Sequence, residues 1–220
     1  MIVDTSEQYV VDCASAGGSD AGSCAGGWYD PVFTYMLTDG IATEAAVPYV
    51  PVDGVCPGGV ATPYRAVAWG FVTAKFNIPS VSQIKQALCE YGPLAVAVRA
   101  TPAFQAYTSG VFNEDNEGNV NHAVTIVGWD DQKGAWHVKN SWGTDWGIKG
   151  YMWIDYGSNS IGHSAAWVKA QNSFYKIIAD LPLFLSKNYK ESILPFPEPK
   201  LLDKIQERRL PHPRPGPRGR

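Results

Sequence analysis

Past Pro93 the chain offers five short apolar runs, Leu94–Val98, His122–Trp129, Ala135–Lys139, Tyr151–Ile154 and Ala165–Val168, parted by Gly, Asn and Asp. Brief runs of Val, Ile, Trp and Tyr between turn formers read as strands. The pattern upstream is helical. Thr5-Ser6-Glu7-Gln8 has the form of a capping box, with Gln8 reaching back, ahead of Tyr9, Val10, Val11 and Cys13. A second helix is expected from Gly27 to Thr38, with Pro31 in its first turn, Val32, Phe33, Met36 and Leu37 on one side and Gly40 as its stop. A third runs from Ser80 to Tyr91, where Ile84, Ala87, Leu88 and Tyr91 recur at helical spacing before Gly92-Pro93. Helices at one end and strands at the other specify an α+β chain with two unlike halves, 1–64 and 65–170, joined near Thr62–Ala66 and followed by an extension, 171–220.

With 45% of 220 residues hydrophobic and 18% charged, the chain has enough apolar material for a sizeable core. No stretch approaches the roughly 18 consecutive apolar residues of a membrane span, so no membrane span is expected. The net charge of -3 hides a division. Residues 1–170 carry 16 acidic and 8 basic side chains, whereas 171–220 carry 5 acidic and 10 basic ones. An acidic body poor in Lys and Arg argues against nucleic acid as a partner. In the extension, Pro182 interrupts an apolar stretch at 174–185, and the Pro/Gly/Arg-rich end is too polar to bury a core; it is expected to be disordered and to attract acidic partners at most weakly. The four cysteines, Cys13, Cys24, Cys56 and Cys89, form no C-x-x-C pair and no compact Cys/His set, so no metal site is expected. The first residues show neither the basic nor the apolar region of a secretion signal.

Two polar residues stand out. His122 opens an apolar run, and Asn140 closes the next at the Gly/Trp-rich turn Ser141-Trp142-Gly143-Thr144-Asp145-Trp146-Gly147. If those strands pair, the two side chains meet at one edge of the sheet. An imidazole whose N–H is held by an amide carbonyl is fixed in tautomer and orientation, as a general base requires. Trp142 is placed to shield that bond from water. Taken singly, such a His is an ordinary structural residue and such an Asn an ordinary turn residue.

The segments around them resemble the papain-like cysteine peptidases, the cathepsin-like thiol proteases. The matching segments are Ser6-Glu7-Gln8 with Val11-Asp12-Cys13, Ser23-Cys24-Ala25-Gly26-Gly27-Trp28, Gly40-Ile41-Ala42-Thr43-Glu44 with Pro48-Tyr49, and Gly92-Pro93. They continue through Tyr107-Thr108-Ser109-Gly110-Val111, Asn121-His122-Ala123-Val124, Val127-Gly128-Trp129 and Lys139-Asn140-Ser141-Trp142-Gly143 to Gly150-Tyr151. The resemblance covers about residues 5–169 in family order. It implies a papain-like fold in which 1–64 is a remnant of the helical half and 65–170 a β-barrel-like half, with a substrate cleft between them. By that resemblance His122 is the base and ion-pair partner, Asn140 its orienter and Trp142 the covering indole. Gly26 and Gly27 would bond an extended peptide through their backbones. Tyr29, Ala97, Asn121 and Ala123 would join them in holding substrate, and Cys13 would pair with Cys56. No cofactor is implied. The implied partners of a monomer are peptide or protein substrates and protease inhibitors, in a secreted, periplasmic or lysosomal setting.

The departure from the family lies in the nucleophile. The reaction needs a thiolate and oxyanion donors, including a Gln side chain. The family's Gln and its Cys-Gly-Ser-Cys-Trp segment do not occur in this sequence. Cys24 is followed by Ala25-Gly26-Gly27 and precedes His122 by only 98 residues, against roughly 130–150 in the family. Counting that far back passes Met1, so the resemblance places the nucleophile ahead of residue 1 and leaves Cys24 an orphan thiol. Cys89, read on the apolar side of its helix, is expected to be a small buried hydrophobe. Three readings compete: an incomplete peptidase that cannot turn over as it stands, a pseudoenzyme that binds peptides or inhibitors without cutting, and a subunit completed by a second chain. The first is preferred. The nucleophile, the Gln and a disulfide partner are missing together, while His122, Asn140 and Trp142 remain.

Overall fold

In the computed structural model, residues 3–14, 21–115 and 118–172 are described, all within one compact unit, Met1–Asp180. The expectations for 174–220 lie outside them. The elements are α1 (Glu7–Cys13), α2 (Tyr29–Thr38), β1 (Tyr64–Phe71), α3 (Val81–Tyr91), β2 (Leu94–Val98), α4 (Pro102–Gln105), β3 (Val111–Phe112), β4 (His122–Asp130), β5 (Ala135–Lys139), β6 (Tyr151–Asp155), a short 3-10 helix (Ser158–Ser160) and β7 (His163–Asn172). The strands form one seven-stranded sheet in the order β1-β7-β2-β4-β5-β6-β3, antiparallel except for β3 beside β6.

Alternation along the strands builds the core. Val124 and Ile126 of β4, Trp136 and Val138 of β5, and Met152 and Ile154 of β6 all turn to one buried face. Each such side chain contributes roughly 1.5–3 kcal/mol relative to exposure. β2 lies mid-sheet, with Leu94, Val96, Ala97 and Val98 all buried. Helix α3 lays Ile84, Ala87 and Leu88 on this core, and its start is a full capping box between Ser80 and Gln83. Cys89 departs from expectation and is exposed. It lies five residues past Ile84, which on a 3.6-residue turn places it outside the buried stripe.

The N-terminal part has its own small cluster of Tyr9, Cys13, Ile41 and Ala42. The Cys13–Cys56 disulfide joins α1 to the loop before β1, with Cα atoms 4.7 Å apart. The expected box at Thr5–Gln8 does not form. Ser6 is the N-cap, accepting from Tyr9 N–H at 2.8 Å, while the buried Gln8 is committed elsewhere. Its amide donates to Asp12 Oδ1 and Val52 O and accepts from Val50 N–H, pinning the 50–54 loop. Helix α2 starts at Tyr29 rather than Gly27 and buries no residue fully, although Phe33 meets Trp69 of β1 at 6.1 Å. β1 begins at Tyr64, within the stretch 62–66 where the sequence places the joint between the two halves. Only Ala66 of that strand is buried, so its apolar alternation is faint in sequence.

Candidate active site

β4 and β5 pair antiparallel, Thr125 opposite Lys139, which carries the first residue of β4 and the residue just past β5 to the same end of the sheet. There His122 Nε2–H donates to Asn140 Oδ1 at 2.8 Å. The same oxygen accepts the Ser141 backbone N–H at 2.8 Å, and Asn140 N–H donates to Gly150 O. Asn140 is 7% exposed. Trp142 stacks on the imidazole, centroids 4.6 Å apart and planes 25° from parallel. Beneath both lies the fully buried Phe104, edge-on to His122 at 6.4 Å and to Trp142 at 5.8 Å. Phe104 comes from α4, a single turn capped by Thr101 and too brief to read from the sequence.

A cavity of about 360 Å³ opens beside the imidazole. One wall is Gly26, Gly27, Trp28 and Tyr29; the other is Ala97 and Val120 to Ala123. All six residues expected to hold substrate, Gly26, Gly27, Tyr29, Ala97, Asn121 and Ala123, line it together with His122. Asn140 and Trp142 stand behind the imidazole. Trp28 and Val120 are lining residues beyond those expected, although each belongs to or adjoins a motif legible in the sequence. The glycine wall is a tight turn in which Ser23 and Gly26 exchange backbone hydrogen bonds. A Cβ on Gly27 would sit 2.1 Å from Ala21 O, so no side chain fits there. On the opposite wall the Asn121 side chain clamps Ala100, accepting from its N–H at 2.7 Å and donating to its C=O at 3.1 Å. That clamp fixes the entry of β4 and with it His122.

Behind Tyr29 lies a polar layer that the sequence does not announce. The Tyr29 hydroxyl donates to Ser164 O at 2.6 Å, and burial, followed by the Asp30 carboxylate, pushes its pKa well up. Ser164 is fully buried at a φ of 54°, with its Oγ accepting from Phe76 N–H and lying 3.0 Å from His163 Nδ1. Burial holds the His163 imidazole below its usual pKa.

Neither free thiol joins this group. Cys24 and Cys89 are exposed, and neither lines the cavity. The Cys24 thiol is pushed up by desolvation and then by the Asp53 carboxylate, opposite to what activates a nucleophile. Among the described residues, no group of three His, Cys, Asp or Glu could hold a metal ion, and no helix is long and apolar enough to cross a membrane.

The structure thus sets His122 against Asn140 and beneath Trp142, beside a two-walled cavity. A profile of the papain family of cysteine proteases matches residues 1–171. The chain belongs to this family. Cathepsin L of Sarcophaga peregrina is 40% identical over 161 residues, covering 69% of this chain and 45% of that protein. Pro-cathepsin H of Mus musculus is 34% identical over 171 residues, covering 74% and 50%. Among solved structures, the bromelain protease of Ananas comosus superposes with a TM-score of 0.67 at 32% identity, covering 77% of this chain and 79% of that one. The chain spans about half the length of these curated papain-family relatives.

Proposed function

We propose that the described residues carry the acid–base half of a cysteine peptidase site, with His122 as base, Asn140 as its orienter and Trp142 as its cover. The bond from His122 Nε2–H to Asn140 Oδ1 carries this reading. A carbonyl oxygen only accepts, so the neutral imidazole keeps its proton on Nε2 and its lone pair on Nδ1. Nδ1 is then the atom that takes the proton of a substrate-attacking thiol and returns it to the leaving amine. The same atom would deprotonate the water that hydrolyses the acyl thioester. The extended peptide would lie between Gly26-Gly27 and Asn121–Ala123.

The described thiols stand away from His122, so the nucleophile and the oxyanion Gln would be supplied from elsewhere, by further residues of a longer polypeptide or by a second chain. The 220-residue chain by itself is then expected to bind peptide and not to cut it. The two-walled cavity also favours the non-catalytic reading, in which peptide or inhibitor binding is the function. A disulfide between Cys13 and Cys56 fits an oxidising compartment, secreted, periplasmic or lysosomal.

The experiment assays the purified 220-residue chain with a fluorogenic dipeptide and follows peptide binding in parallel. Binding without turnover is expected. Cleavage that His122→Ala abolishes would overturn the assignment of the nucleophile elsewhere, and absence of any peptide binding would overturn the cavity's role. Intact mass and N-terminal sequencing of the native protein then distinguish the two sources of the thiol.

A further inference from the structure

The three residues that follow β2 carry both supports of the imidazole. The Asn121 clamp on Ala100 fixes the residue ahead of His122. Thr101 caps α4, which brings Phe104 beneath His122 and Trp142. Arg99 completes the set, donating its N–H to Asn159 O at 2.9 Å and accepting from Asn159 Nδ2 at 3.0 Å. Where residues 99–101 stand therefore decides where both supports stand.

One carboxylate grips this segment from two sides. Glu114 Oε2 accepts from the Thr101 hydroxyl at 2.6 Å and from Asn159 Nδ2 at 2.8 Å. We propose that Glu114 is a positioning residue for His122, acting through those two accepted hydrogen bonds. The inference rests on the reading of His122 as the base.

The first bond acts on α4. A hydroxyl has one proton and a carboxylate only accepts, so the Thr101 proton points at Glu114. The lone pairs of the hydroxyl are left for Phe104 N–H, 3.2 Å away, which is the cap that starts the helix. At 2.6 Å the bond has the length of a charge-assisted O–H···O⁻ contact, roughly twice as strong as a neutral one.

The second bond acts on Arg99. Asn159 is fully buried, and a buried amide left unpaired is costly. Its NH₂ divides its donors between Arg99 O and Glu114 Oε2, so the carboxylate sets the rotation of the amide that holds Arg99. Glu114 is itself anchored through its backbone, with its N–H donating to Ser158 Oγ at 3.1 Å and its C=O accepting from that hydroxyl at 3.0 Å. In sequence Glu114 falls between the segments Tyr107–Val111 and Asn121–Val124, so the family resemblance assigns it no role.

The test uses the full 220-residue chain with ¹⁵N-labelled histidine. Two-bond ¹⁵N–¹H correlation spectra read the ratio of Nε2–H to Nδ1–H forms of neutral His122. Glu114→Ala should lower that ratio about twofold, the effect of weakening the His122–Asn140 bond by an amount at the low end of the hydrogen-bond scale. Glu114→Gln keeps an acceptor oxygen for both donors and should keep the wild-type ratio. Thr101→Val cuts the arm to α4 while leaving Glu114 in place, so the test does not depend on Glu114→Ala folding. It should lower the ratio too, whereas Thr101→Ser retains the hydroxyl and should not. Circular dichroism checks that each variant is folded. A folded Glu114→Ala or Thr101→Val with the wild-type ratio overturns the proposal even if its melting temperature falls, because Glu114 would then only stabilise the fold. A shift in Glu114→Gln as large as in Glu114→Ala overturns it as well. Peptide binding by the unsubstituted chain tests the base reading separately, so failure of one is not mistaken for failure of the other.

Discussion

His122 and Asn140 hold each other in one orientation, because Asn140 Oδ1 faces two groups that both donate, His122 Nε2–H and Ser141 N–H. Rotating the Asn140 amide would set its NH₂ against the Ser141 N–H, so the oxygen stays where the imidazole needs it. Asn140→Ala should therefore release the tautomer preference of neutral His122. Losing one hydrogen bond of about 0.5–1.5 kcal/mol shifts the ratio of Nε2–H to Nδ1–H forms by about two- to tenfold. Two-bond ¹⁵N–¹H correlation spectra of the imidazole read that ratio directly. An unchanged ratio in the variant would show that Asn140 does not orient the ring.

The two histidines held below their usual pKa make stability depend on pH. Burial depresses His163, which lies near Trp28 and Phe76, and His137, which stacks on Tyr151 and Trp153. The charges around them are Lys75 with Asp30 and Lys133 with Asp130. The unfolded chain protonates these rings near pH 6.5, before the folded one does. Their contribution is thus complete above about pH 6.5 and is lost as pH falls through the lower folded values. Asp130 and Asp131 are also depressed, chiefly by bonds from Lys133 and Lys85, but their window opens only near the ordinary carboxylate pKa. Melting temperature should fall between pH 7.5 and 5. The double variant His137→Gln/His163→Gln should flatten that slope, and a slope unchanged in it would assign the fall to other groups.

Much of this site was legible in sequence because its chemistry is local. His122 and Asn140 each sit at the end of a strand whose apolar run is short and bounded by turns, and β2 and β5 fall on their expected residues. What escaped the sequence depends on long-range packing. β1 has a single buried residue, so its period is too faint to read, while α4 and β3 are four and two residues long. Gln8 has the spacing of a capping residue, yet its buried amide serves a loop more than forty residues away. Ser164 and His163 give no signal at all. Their role comes from Tyr29, which is 135 residues from Ser164 along the chain.

Asp53 is placed to raise the pKa of the Cys24 thiol. Asp53 Oδ1 accepts the Cys24 N–H at 2.7 Å, and after desolvation its carboxylate is the next cause holding the exposed thiol in its protonated form. Asp53→Asn should lower that pKa and speed alkylation by iodoacetamide near pH 7.5, where the thiolate fraction sets the rate. At high pH, with the thiol fully ionised in both proteins, the rates should converge. Mass-resolved alkylation kinetics across pH distinguish this from a change in access, which would shift the rates by the same factor at every pH.

Phe104 is the packing element shared by the indoles and the imidazole. It is fully buried, stacks on Trp146 at 5.7 Å, and meets Trp142 and His122 edge-on. Trp146 in turn is tied to the same turn of α4, donating its indole N–H to Gln105 O at 2.9 Å. Phe104→Ala should cost about 3–5 kcal/mol, since the fixed rings around it cannot close the space. It should also loosen Trp142 over His122, because the edge contact beneath the indole is lost. Phe104→Leu keeps most of the volume and should recover much of the stability without restoring the aromatic edge. Urea denaturation measures the first effect, and near-ultraviolet circular dichroism of the coupled tryptophans measures the second. Recovery of both signals in Phe104→Leu would mean that volume alone, and not the ring edge, holds the indole in place.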